Sequence, residues 1–248
     1  MQIFSNWLKK KKLTSPVDVS SLVTDMHSHL IPGIDDGVPD VDTAIALIKE
    51  LAGLGYRKVI TTPHIMVDLY KNTPEIIRKG EKQVKEAIEA ERINIEFEAS
   101  AEYQLDEGFL NHFKNGQLMT FGGKYLLLEL SYFNAPPNLF EMLFDLQVAG
   151  YKVILAHPER YAYWHRDFSK LEDLKNRNVF FQLNMISLSG FYSLPIKKIS
   201  ERLIDGGMVD FIGSDLHSHQ YLNLIEKALY EPYLEKLINS GKLKNHLL

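Results

Sequence analysis

Short apolar runs alternate with longer amphipathic stretches along this chain, and that alternation restricts its fold more than any other feature. Residues 23–27, 58–62, 94–100, 125–130, 152–156, 179–183 and 209–213 read as strands. The stretches between them carry apolar residues at helical spacing, as in 42–54 with Ala44, Ile45, Leu47, Ile48 and Leu51, and helices are also expected over 73–90, 107–114, 137–149, 171–176, 195–205 and 221–229. Strand and helix in regular alternation make a parallel sheet. Seven such units with no Pro-, Gly- or Ser-rich linker predict one α/β domain over residues 21–248. It is either a closed or nearly closed βα barrel or an open doubly wound sheet.

Both architectures place chemistry at the carboxyl ends of the strands, so the residues there decide what the chain can do. The first strand ends in His27 and His29, which share one face of an extended chain, with Asp36 in the following turn. The second ends in Thr61-Thr62-Pro63-His64, the third in Ala101-Glu102 and the fourth in Leu128-Glu129. The fifth ends in His157-Pro158-Glu159-Arg160 and the seventh in Ser214-Asp215-Leu216-His217, while the sixth offers only Gln182 and Asn184, which are poor ligands. Each group alone also reads as an ordinary strand end or salt bridge. Together they put more imidazole and carboxylate donors at one mouth than a single ion can use, and two or three divalent ions are implied. The chain contains no cysteine, so thiolate ligation and a phosphocysteine mechanism are excluded, and mixed N/O ligation suits zinc, manganese or iron(II). His112, His165 and His246 read as a polar helix face, a surface loop and a tail.

Six stretches, HSHLIPGIDDG, TTPH, AEY, LLLEL, AHPER and GSDLH, resemble in order and spacing the polymerase-and-histidinol-phosphatase superfamily. Within it the chain is most similar to the capsule-associated bacterial protein-tyrosine phosphatases, the CpsB/YwqE family, over residues 22–230. The resemblance implies a distorted (β/α)7 barrel with a trinuclear centre, most often of manganese, with iron or zinc as alternatives. It places His27, His29, Glu102 and Asp215 on one ion, Glu102, Glu129 and His157 on a second, and Asp36, His64 and His217 on a third, with Glu102 bridging. Arg160 becomes the phosphate-binding arginine, and the implied substrate is a phosphotyrosine protein such as a bacterial tyrosine kinase of capsule or exopolysaccharide synthesis. One departure stands out: where related phosphatases carry an arginine after SDLH, this chain has Ser218-His219-Gln220-Tyr221, which makes His219 the candidate for a second phosphate contact.

The chemistry fits those residues. A phenol leaving group with a pKa near 10 needs little proton donation, so a site without a dedicated acid suits phosphotyrosine better than an alkyl phosphate. Tyr161, Tyr163, Trp164, Phe191 and Tyr192 suggest an open mouth that stacks on a flat ring, against the closed cationic pocket of a small-molecule, histidinol-phosphatase-like enzyme. A third reading is a non-catalytic, metal-stabilised regulatory binding protein. A formal charge of −4 and a pI near 6.1 give no basic stripe for nucleic acid. Residues 1–20 read as a basic and apolar tail, with Ile3, Phe4, Trp7 and Leu8 before the run Lys9–Lys12, able to touch a membrane surface or a partner. That tail is too short and polar for a signal peptide or a spanning helix, so a cytoplasmic location is expected.

Overall fold

The computed structural model describes residues 12–248. The expected tail falls mostly on residues 1–11, outside them. Val17 and Leu13 already donate backbone bonds to Leu229 and Tyr230, so the described part of this segment lies against the C-terminal helices.

The described residues form nine strands and eight α-helices, which alternate except that β3 follows β2, β5 follows β4 and α8 follows α7. Strand β1 is only Thr24–Asp25, and β2 is Lys58–Thr61 followed after a break by β3, His64–Ile65; β4, Glu96–Ala99, and β5, Glu102–Gln104, are likewise separated. The remaining strands are β6 Tyr125–Glu129, β7 Lys152–Ala156, β8 Phe180–Asn184 and β9 Phe211–Gly213. Helix α1 spans Val41–Gly53, α2 Pro74–Ala90, α3 Phe109–Lys114, α4 Leu139–Val148, α5 Ser169–Asn176, α6 Leu194–Asp205, α7 His219–Ala228 and α8 Pro232–Ile238. The longest helices start where the sequence supplies oxygen caps. Asp40 accepts from the Thr43 amide ahead of α1, and Thr73 and Ser193 do the same for α2 and α6, each followed by proline in the first turn. No described helix is long and apolar enough to cross a membrane.

All pairings are parallel, in a three-stranded sheet β1-β2-β4 and a six-stranded sheet β3-β5-β6-β7-β8-β9. The second and third strands expected from the sequence correspond to β2 and β4, and each is followed by a further short segment, β3 or β5, that the sequence reading did not assign to a strand. Pro63 has no amide to donate and interrupts the second, yet bonds continue across the break, with Ser100 donating to Thr61 and Glu102 to Pro63. The two sheets thus form one distorted (β/α)7 wall.

No continuous ladder joins β1 to β9. A single bridge pairs Ser28 with Leu216, the Asp215 amide donates to His27, and the His29 amide donates to Leu216. Side chains complete the seam. Buried Asp25 accepts from the amide and hydroxyl of Ser214, and buried Asn245 donates to Thr24 and Ile212 while accepting from Ile212.

Two apolar layers follow from the strand alternation. Met26, Ile60, Leu127, Ile154 and Phe211 fill the interior below the mouth, and a larger layer of leucine, isoleucine and valine packs between strands and helices. On β6 the inward positions run Tyr125, Leu127, Glu129, so the plug gives way to a carboxylate at the strand end.

Candidate metal centre

Nine side chains from six strand ends meet above this plug. Their donor atoms form four overlapping groups: His29, Asp36, His64 and His217; His27, His29 and Asp215; His27, Glu102 and His157; and His64, Glu102 and Glu129. Every residue expected from the sequence as a ligand is among them, and all but Asp36 are buried. The grouping is tighter than three separate sets, since His64 approaches Glu102 and Glu129 as well as Asp36.

Glu102 lies at the centre. Its Oε2 is 3.3 Å from His27 Nε2, 3.5 Å from His29 Nε2 and 3.1 Å from His64 Nδ1, and its Oε1 is 3.1 Å from His157 Nε2. Asp215 Oδ1 is 3.4 and 3.5 Å from the same nitrogens of His27 and His29. Asp36 Oδ1 lies 3.6 Å from His64 Nε2 and 3.5 Å from His217 Nε2. Donors about 2.1 Å from a shared ion in a tetrahedral arrangement lie roughly 3.4 Å apart, so these spacings suit atoms that face a common cation. Two further facts fit. His64 Nδ1 and Glu102 Oε2 are buried and close, yet neither makes an aligned hydrogen bond, and the Nε2 atoms of His27 and His29 face each other at 3.3 Å.

Three of the imidazoles are oriented from behind. His29 Nδ1 donates to Asp35 at 2.8 Å, His27 Nδ1 to Gln182 Oε1 at 2.9 Å, and His217 Nδ1 to the Asp215 carbonyl at 2.8 Å, which leaves each Nε2 lone pair for the centre. The sequence reading set Gln182 aside as a poor ligand and did not single out Asp35; the doubled aspartate of IDDG was its signal. Asn184, also at the end of β8, donates to Asp215 Oδ2 at 2.6 Å.

Charge is unevenly held. Burial works against a proton on His27, but Glu102 and Asp215 outweigh it and push the imidazole up to about 9. Glu129 is pushed up to about 7 by burial and by the charge of Glu102. The pocket demands positive charge at its centre. Divalent cations would supply it without protons.

Arg160 leaves a short 3-10 turn, Pro158–Arg160, and its Nη1 is 3.4 Å from Asp215 Oδ2. It makes no pair with Glu159, which is buried and accepts from the Asn184 amide and the Ser187 hydroxyl. His219 is exposed as the first residue of α7, outside the four donor groups. Two of the aromatics expected at the mouth are structural: Tyr161 is fully buried, bonded to Leu130 and Ala156, and Trp164 packs edge-on against it. Their apolar area is drawn into the core, and Tyr132 takes a place beside Arg160 that the sequence reading did not assign.

Residues 23–238 match the sequence profile of the family described as Capsular polysaccharide synthesis, CpsB/CapC. YwqE of Bacillus subtilis strain 168, named a tyrosine-protein phosphatase, is 29% identical over 218 residues, covering 87% of this chain and 85% of that protein. CpsB of Streptococcus pneumoniae, also named a tyrosine-protein phosphatase, is 24% identical over 202 residues, covering 78% and 82%. A crystal structure from work on YwqE from Bacillus subtilis and CpsB from Streptococcus pneumoniae, described as metal-dependent tyrosine phosphatases, aligns with a TM-score of 0.79 at 29% identity over 88% of both chains. An amidohydrolase from Mycoplasma synoviae shares the fold, with a TM-score of 0.52 at 13% identity over 97% of this chain and 89% of that one. With profile, relatives and backbone in agreement, the chain belongs to the CpsB/CapC family of capsular polysaccharide synthesis.

Proposed function

We propose that this chain is a metal-dependent protein-tyrosine phosphatase that removes phosphate from phosphotyrosine proteins, a tyrosine kinase of capsule or exopolysaccharide synthesis being the natural partner. The observation that carries the reading is the convergence of nine nitrogen and oxygen ligands around Glu102 with a guanidinium at the rim. Two or three divalent ions, manganese before iron or zinc, would be held by His27, His29, Asp36, His64, Glu102, Glu129, His157, Asp215 and His217. Bound there, such ions neutralise phosphoryl charge and lower the pKa of water enough to furnish a nucleophile near neutrality.

The remaining work falls to the protein. Arg160 offers its planar fork to two phosphoryl oxygens, where charge spreads during displacement. His219, exposed at the start of α7 two residues after His217, is available for a second contact. The leaving phenolate needs no strong acid. This proposed site is at work in the cytoplasm, where kinase domains of this class would be met.

A substrate panel tests the reading. Metal-loaded protein should hydrolyse phosphotyrosine peptide, lose that activity to a chelator and regain it on reloading. Histidinol phosphate and single-stranded DNA should give kcat/KM lower by about tenfold or more, equivalent to ~1.4 kcal/mol of transition-state discrimination. Preference for histidinol phosphate would support a small-molecule phosphatase instead, and binding of phosphotyrosine peptide without turnover would support a regulatory protein.

A further inference from the structure

We propose that Tyr132 and Tyr192 are positioning residues, which clamp the Arg160 guanidinium between their rings and register it against the metal-ligand carboxylates. The inference rests on the phosphatase reading and adds to it two residues that lie outside all six sequence motifs.

Arg160 Cζ lies 4.7 Å from the centroid of the Tyr132 ring and 4.3 Å from that of Tyr192. These rings come from different parts of the chain, one from the loop after β6 and the other from the loop before α6. A guanidinium held by cation–π contact with two rings keeps its N–H groups for an anion, and the arginine side chain is only 20% exposed. Each ring is in turn anchored at its hydroxyl. Tyr132 donates to Glu129 Oε1 at 2.5 Å, and Tyr192 accepts at 3.2 Å from Asn184 Nδ2, which also donates to Asp215 Oδ2 at 2.6 Å. Both anchors therefore lead to carboxylates of the metal centre, one directly and one through Asn184. Beyond its single 3.4 Å contact with Asp215, a flexible arginine on a three-residue turn has little to fix its direction; the two tyrosines hold it before a phosphoryl group arrives, so less freedom is lost on binding.

An alternative role for two rings at the mouth is to stack on the phenyl ring of the substrate. The two roles differ in what happens when Arg160 is gone. The clamp acts through the arginine, so its loss should matter only while the arginine is present.

A double-mutant cycle decides it, with Tyr132→Ala and Tyr192→Ala each made in the wild-type and Arg160→Ala backgrounds, and with metal content measured for each. Binding of inorganic phosphate to metal-loaded protein is followed by calorimetry, and turnover of a phosphotyrosine peptide by phosphate release. In the wild-type background each alanine should weaken phosphate binding and lower kcat/KM by roughly 5- to 30-fold. Beside Arg160→Ala, the same changes should alter neither by more than about twofold. Tyr192→Phe, which keeps the ring, should recover most of the loss. If Tyr132→Ala does not fold, Tyr192→Ala, one residue further removed from a ligand, carries the cycle. Equal losses in both backgrounds, or phosphate binding unchanged by either alanine, would overturn the clamp. Wild-type protein that binds phosphate but never hydrolyses the peptide would bring down the phosphatase reading, while the phosphate cycle still judges the clamp.

Discussion

His157 and Asp215 both have positive φ, 32° and 51°, a region that costs a side-chain-bearing residue about 1–2 kcal/mol. Strand alternation alone would send His157 outward after the inward Ile154 and Ala156; its left-handed turn brings the imidazole within 3.1 Å of Glu102 instead. Gly213 serves the same centre by having no side chain. A Cβ there would fall 2.7 Å from His27 Cβ and 2.8 Å from Gln182 Nε2. Gly213→Ala should cost about 1–3 kcal/mol, at roughly 2–4 °C of Tm per kcal/mol for a chain of this size, and should lower metal content because His27 is displaced. Thermal melting and elemental analysis check both, and a variant with wild-type values would refute the crowding. Arg160→Ala should leave Tm and metal content nearly unchanged while reducing kcat/KM on phosphotyrosine peptide by about 100-fold or more, the ~2.7 kcal/mol typical of one lost transition-state donor. Arg160→Lys, with charge but no fork, should fall between. Full activity of the alanine variant would leave Arg160 without the role assigned to it.

The interruption of the third strand sets a problem that a helix solves. β4 pairs with β2 alone, so Ala99 has no ladder partner on its other side; its amide donates to Glu81 of α2 and its carbonyl accepts from Arg78. Burial would raise the Glu81 carboxyl, but hydrogen bonds from Lys85 and Arg78 outweigh it and hold the pKa below the ordinary 4.5. The folded state thus binds this proton less readily than the unfolded chain, so the stabilisation is complete above the ordinary glutamate pKa and is lost as pH falls through the lower folded value. Glu81→Gln should therefore lower Tm near pH 7, and the gap to wild type should close as the melts are taken toward pH 3; a gap independent of pH would show that the charge is not involved. The strand and helix alternation, and thus the fold class, was legible because period-2 and period-3.6 patterns are local. The continuation of the wall beyond those strands as β3 and β5 was not, because what supports it is tertiary: Glu81, Arg78 and Asp35 replace ladder bonds from afar. The nine donors were legible for a related reason, that strand ends concentrate chemistry whichever way the sheet closes. The roles of their supports were not, since Gln182 meets His27, and Tyr132 and Tyr192 meet Arg160, only once the chain is folded.

Across the whole molecule, the apolar plug and the polar mouth share one set of strands, and the seam from β1 to β9 brings His27 and His29 beside Asp215 and His217. The seam depends on side chains from both ends of the chain, with Asp25 near its start and Asn245 near its end. The donor set is thus assembled only when the ring of strands is complete, and metal binding should be bound up with folding. Metal content per chain, measured by elemental analysis after purification without chelators and again after reloading with manganese, tests the central claim most directly. Two to three equivalents are predicted, falling sharply in Glu102→Ala, whose carboxylate faces four of the imidazoles. Well under one equivalent in the reloaded wild-type protein would contradict the account.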